Sequence, residues 1–130
     1  MSKYPVAIDY EQVGKYSALS KSGGGYFFDE VLEYRVWCHP ERGATDHYDG
    51  EDYYYSFSSY EEAHDFFESE QGTEEPLVLI KQLEWIDEPE EGKFEHLKGE
   101  RITEWLPAWL SREARMPGDI ENFIQERSKG

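Results

Sequence analysis

Between Glu33 and Ser69 the chain runs through Trp37-Cys38-His39-Pro40, an acidic loop, the aromatic string Tyr53-Tyr54-Tyr55-Ser56-Phe57 and a helical pattern. Strand, polar loop, aromatic strand and helix bring uncommon side chains near one another, so a ligand cleft is expected here. The tyrosines offer flat rings with polar tips, suited to stacking on a planar ligand, although rings on a half-buried strand also serve as core and rim packing. His39 beside Cys38 raises the question of nucleophilic or metal chemistry. Neighbours on a strand point to opposite faces, however, and no Cys/His dyad is expected. His39, His47, His64 and His96 lack zinc-ligand spacing, and the loop from Asp46 to Asp52 fails the calcium register because Thr45 and His47 fall where ligands belong. No metal centre is predicted. Arg112 and Arg115 carry forked donors that match phosphate oxygens, but in so acidic a chain they are expected to pair with local carboxylates. Trp85, Trp105 and Trp109 are expected to fill the core.

The elements that must hold these residues follow from periodicity. Leu32, Tyr34, Val36 and Cys38 alternate with Glu33, Arg35 and Trp37, the period-two pattern of a strand, and Pro40 stops it. Glu41 to Asp52 reads as a polar loop. Tyr53 to Phe57 reads as a short strand with Tyr53, Tyr55 and Phe57 on one face. Ser59-Tyr60-Glu61-Glu62 has capping-box spacing and opens a helix whose apolar stripe is Tyr60, Ala63, Phe66 and Phe67, ending at Gln71-Gly72. Leu77 to Ile86 predicts a central strand covered on both faces in its first half. Glu88 to Gly92 reads as a turn, Lys93 to Lys98 as a strand, Gly99 as a tight connection and Arg101 to Leu106 as a further strand, together a three-stranded meander. Pro117-Gly118-Asp119 caps a last helix with Ile120, Phe123 and Ile124 buried. The loop from Glu41 to Asp52 is long enough to bring a tyrosine hydroxyl and the His39 ring into one cleft.

A length of 130 residues predicts one domain, 26–130, behind an arm, 1–25, whose glycine-rich end loosens the backbone. Hydrophobic content of 38% with 16% aromatics argues for an aromatic-rich core rather than disorder. Net charge is −16, and no lysine or arginine lies between Arg42 and Lys81. Such a surface repels phosphate backbones and anionic headgroups, which disfavours duplex nucleic acid and membranes as partners. A localised basic pocket for one nucleotide is still compatible with it. One cysteine excludes an intramolecular disulfide and a cysteine-caged metal, and neither a leader pattern nor a long apolar run is present, so a cytoplasmic location is expected.

The strings Tyr34-Arg35-Val36-Trp37-Cys38-His39-Pro40-Glu41, Tyr60-Glu61-Glu62-Ala63, Glu84-Trp85-Ile86-Asp87-Glu88-Pro89 and Glu100-Arg101-Ile102-Thr103-Glu104-Trp105 resemble a family of small uncharacterised bacterial proteins. Related sequences occur beside acetyltransferase domains. That family resembles the ADP-ribosylation fold, which implies an α+β domain with a split antiparallel sheet, packed helices and an NAD-type cleft. By this resemblance His39 would position NAD, Tyr54 or Tyr55 would stack on nicotinamide, and Glu100, with Glu104 as competitor, would stabilise the ribosyl cation. Away from the resemblance, Glu100 is an ordinary turn-flanking glutamate that would pair with Arg101 or a lysine. The implied function is a nucleotide-type ligand site, with or without catalysis. The alternative from the residues themselves is a non-enzymatic module whose acidic face binds a basic protein partner.

Overall fold

The computed structural model describes residues 4–20, 26–110 and 114–128. Four strands, β1 (Glu30–Cys38), β2 (Tyr53–Phe57), β3 (Leu77–Glu90) and β4 (Lys93–Trp105), form one antiparallel sheet in the order β2-β1-β3-β4. Two helices, α1 (Tyr60–Ser69) and α2 (Asp119–Ser128), complete an α+β architecture. Among the described residues no helix is long and apolar enough to cross a membrane.

Alternation along β1 decides what each face carries. Val31, Tyr34 and Val36 join Phe28, Val78, Ile80 and Trp105 in a core closed by Ala63 of α1, with Phe57, Tyr60 and Phe67 packed around it. The predicted cap of α1 is present: the Glu62 amide donates to Ser59 Oγ at 3.2 Å, and the Ser59 hydroxyl returns a bond to Glu62 Oε1 at 3.1 Å. A second cluster of Phe27, Ile86, Ile120 and Phe123, flanked by Phe94 and Ile124, seats α2 at the far end of the β3–β4 hairpin. Val78, Leu79 and Ile80 are buried in succession, as expected of a strand covered on both faces.

Three expectations change. Lys93 to Lys98 and Arg101 to Leu106 are not separate strands, because β4 runs unbroken to Trp105 against β3. Gln82 pairs with Arg101 and Glu84 with Lys98, so one extra residue of β4 bulges at Gly99-Glu100 instead of reversing the chain. Glycine marks either event; here its φ of +153° serves the bulge. The turn shrinks accordingly, since β3 extends through Pro89. This proline is tolerated because β1 pairs with β3 only as far as Lys81, leaving that edge without a ladder. Trp109 does not fill the core but is 50% exposed, whereas Trp105 is buried.

The face of β1 opposite α1 carries Glu33 and Arg35, both fully buried. The N-terminal segment makes this possible. Its Pro5 carbonyl accepts the Tyr34 hydroxyl on the α1 side, and burial pushes the Tyr34 phenol pKa upward. Ala7 and Ile8 then donate to Ser58 and Val31 along the sheet edge at 2.8 Å each. Beyond the edge, the segment supplies polar partners to the opposite face. Gly14 N donates to Glu33 Oε1 at 2.8 Å, and Ser17 O accepts from Arg35 Nη2 at 2.6 Å. Arg35 Nε donates to Glu33 Oε2 at 2.6 Å, Ser56 Oγ adds a bond to the same oxygen at 2.9 Å, and the guanidinium lies 4.4 Å from the Tyr54 ring. Residues 21–25, the glycine-rich end of the expected arm, lie outside the described residues.

Removing one member of a buried ion pair strands the other charge without water, a loss of about 3–5 kcal/mol. Arg35→Met is therefore expected to lower unfolding free energy by about that amount in urea denaturation. Lys93→Met, which breaks an exposed pair with Glu90, should leave the midpoint unchanged.

Candidate functional site

The two ends of β1 separate the residues that the sequence singled out. His39 follows Cys38 at one end, where its backbone N donates to Gly72 O at 2.8 Å. Glu100 sits in the β4 bulge beside Arg101, which pairs with Gln82, and thus beyond the Glu30–Lys81 pair at the opposite end of β1. The length of the strand lies between them, roughly 30 Å at about 3.3 Å per residue. Tyr54 and Tyr55 diverge across the sheet. Tyr54 lies on the buried-charge side, 4.8 Å from Trp37 and hydrogen-bonded through its hydroxyl to Tyr16 O at 3.2 Å. Tyr55 lies on the α1 side, edge-on to Phe66 at 5.1 Å. His39, Tyr54, Tyr55 and Glu100 do not meet in one cleft. Glu104, the competitor of Glu100, sits on the Tyr54 side and accepts from Trp37 Nε1 at 2.8 Å.

An open hollow of about 390 Å³ forms where β2, α1 and the loop after β1 converge. Cys38, Thr45, His47, Tyr53, Tyr55 and Phe66 supply most of its walls, with Glu70 from the end of α1. Sequence reasoning placed Tyr55 near a ligand but missed His47, Phe66 and Glu70. The available signal was the common phase of Tyr53, Tyr55 and Phe57, which turns all three toward α1. His47, Tyr53, Tyr55 and Phe66 form a chain of edge-to-face contacts with centroids 5.3, 5.8 and 5.1 Å apart. Tyr53 is tied further by its hydroxyl, which donates to Thr45 O at 2.7 Å. The Cys38 thiol faces this side, and burial, reinforced by Glu70, pushes its pKa up, the wrong direction for a nucleophile.

His39 does not line the hollow. Its side chain is 9% exposed, with Nε2 2.6 Å from Glu74 Oε1 and Nδ1 2.9 Å from Asp52 Oδ1. Burial opposes its protonation, but the facing Asp52 and Glu74 carboxylates outweigh burial and raise its pKa. Of the two arginines considered as phosphate ligands, Arg112 lies outside the described residues. Arg115 pairs with local carboxylates as expected, reaching Asp29 Oδ1 at 2.8 Å and Glu84 Oε2 at 2.9 Å.

The loop is held against the turn that follows α1 by a close backbone approach. Gly72 has φ +79°, and a Cβ there would stand 2.2 Å from Ala44 N. No protein-family model, no curated protein and no solved structure matches this chain.

Gly72→Ala must both strain the backbone and push the loop away, so a destabilisation of about 1–3 kcal/mol is expected in urea denaturation. The same variant should release Tyr53 from Thr45, which a shift of the Tyr53 ring resonances would register. Wild-type Cys38 should react slowly with iodoacetamide in the native protein at neutral pH and rapidly in urea; equal rates would contradict its burial.

Proposed function

We propose that this chain is a non-enzymatic interaction module that engages a basic protein partner, with the hollow as the seat for a lysine or arginine side chain. One observation carries the reading: Tyr53, Tyr55, His47 and Phe66 surround the space, Glu70 stands at its wall, and among the described residues no lysine or arginine lines it. A cation over an aromatic face gains about 0.5–1 kcal/mol when exposed and about 2 when desolvated. A neighbouring carboxylate favours the same charge. The stretch between Arg42 and Lys81, which contributes most of these walls, contains no lysine or arginine, so its field attracts cations over a wider area.

The competing reading is an NAD-type ligand in an ADP-ribosylation-like cleft. A dinucleotide carries two phosphates and calls for forked or ammonium donors. The walls of the hollow offer none, and the residues assigned to NAD by resemblance are spread over both faces and both ends of the sheet.

Titrating isotope-labelled protein with a lysine-rich peptide at low salt is expected to give saturable shifts at Tyr53, Tyr55, Phe66 and Glu70 that shrink as salt rises. Tyr55→Ala should weaken binding about threefold to tenfold, the equivalent of roughly 0.7–1.4 kcal/mol. NAD should leave these resonances in place. Shifts with NAD and none with the peptide would reverse the assignment.

A further inference from the structure

His39 stands in an arrangement that an ordinary ion pair does not satisfy. Its Nε2 is held by Glu74 Oε1 at 2.6 Å. Its Nδ1 is buried and has no hydrogen-bond partner, although Asp52 Oδ1 is only 2.9 Å away. The carboxylate oxygen therefore lies off the line along which a ring N–H would donate. Glu41 brings a second carboxylate to the same point, and its oxygen, that of Asp52 and a ring nitrogen of His39 all lie within 4.8 Å of one another. With the proton on Nε2, the Nδ1 lone pair faces two carboxylate oxygens, an arrangement that calls for a cation between them, either a proton or a metal ion.

We propose that His39, Glu41 and Asp52 bind a divalent first-row transition-metal ion, with Glu74 as the positioning residue. Nδ1 of His39 and one oxygen from each of Glu41 and Asp52 supply three ligands, the nitrogen and oxygen set suited to ions such as Zn²⁺. Ligands about 2.1 Å from one ion sit no more than about 4.2 Å apart, close to the 4.8 Å within which the three atoms already lie. Glu74 plays the part that a carboxylate commonly takes behind a metal-bound histidine: it accepts the other ring N–H and thereby fixes the tautomer and the ring plane. The ligands also explain each other's placement in the chain. His39 and Glu41 flank Pro40 at the start of the 3-10 turn Pro40–Arg42, and Asp52 immediately precedes β2, so an ion would clasp the two ends of the loop. None of the three lines the aromatic hollow. The site is independent of the basic-partner reading.

Isothermal titration of the full chain with ZnCl2 is expected to give one site that Asp52→Asn and Glu41→Gln each weaken at least tenfold. Glu74→Gln, which keeps an acceptor but removes the charge behind the ring, should weaken it about 10–100-fold. Glu121→Gln alters a separate histidine–carboxylate group, Glu84, His96 and Glu121, and should leave affinity unchanged. Long-range ¹H–¹⁵N correlation of the His39 ring adds a readout that does not depend on any variant folding: zinc should displace the Nδ1 resonance while Nε2 stays protonated. Absence of binding, binding indifferent to Asp52→Asn and Glu41→Gln, binding lost in Glu121→Gln, or an Nδ1 resonance unmoved by zinc would each overturn the assignment.

Discussion

The buried pairing of Glu33 with Arg35 is the constraint around which the sheet is arranged. Two charges two residues apart on one strand point to the same face, and in the absence of water each remaining donor and acceptor must find a protein partner. Ser56 of β2 and the backbone of residues 14–17 supply hydrogen bonds, and Glu104 of β4 stands 3.5 Å from Arg35 Nη1 as an ion pair without a hydrogen bond. The N-terminal segment is thus the second layer over the sheet, opposite α1, although it contributes few apolar groups. A polar face that would otherwise offer an arginine, two glutamates and an aromatic ring to solvent is closed by main-chain groups.

Closing both faces leaves the ends of the strands as the places where chemistry stays accessible. At the end of β1 the chain turns at Pro40, and the loop returns to begin β2 with Tyr53 beside Cys38. The close contact between Gly72 and Ala44 presses that loop onto the exit of α1, and this produces the hollow. Strand alternation then divides the two candidate sites: Cys38 and the odd-numbered tyrosines face the hollow, while His39 turns away toward Asp52 and Glu74. Carboxylates stand at both, Glu70 at the wall of the hollow and Asp52 and Glu74 beside His39, so each place presents negative charge.

Periodicity made much of this architecture legible. The alternation around Tyr34 and Val36, the Ser59 cap and the Leu77 to Ile86 run each correspond to an element of the structure. Glu33 and Arg35 were read only as the polar side of a strand, because the segment that buries them does so through backbone groups and carries no apolar pattern. Gly99 supports a reversal or a bulge equally well, and only the partner strand decides between them. The His39 cluster was illegible for a different reason. Glu74 is 35 residues away along the chain, and its approach depends on the bond from Glu74 N to Trp37 O, a contact with no local signature. Tyr54 and Glu100 were placed beside His39 by resemblance, whereas the two-residue pleat and the length of β1 keep them apart.

The division into a sealed polar face and accessible strand ends is tested most directly by hydrogen exchange at the Arg35 Nε–H in the native protein. With that proton donated to Glu33 at 2.6 Å beneath the N-terminal segment, exchange should require opening of the segment and be slowed by orders of magnitude relative to an exposed arginine. Exchange at the rate of a free guanidinium would show the face to be open to solvent and contradict its closure by the N-terminal segment.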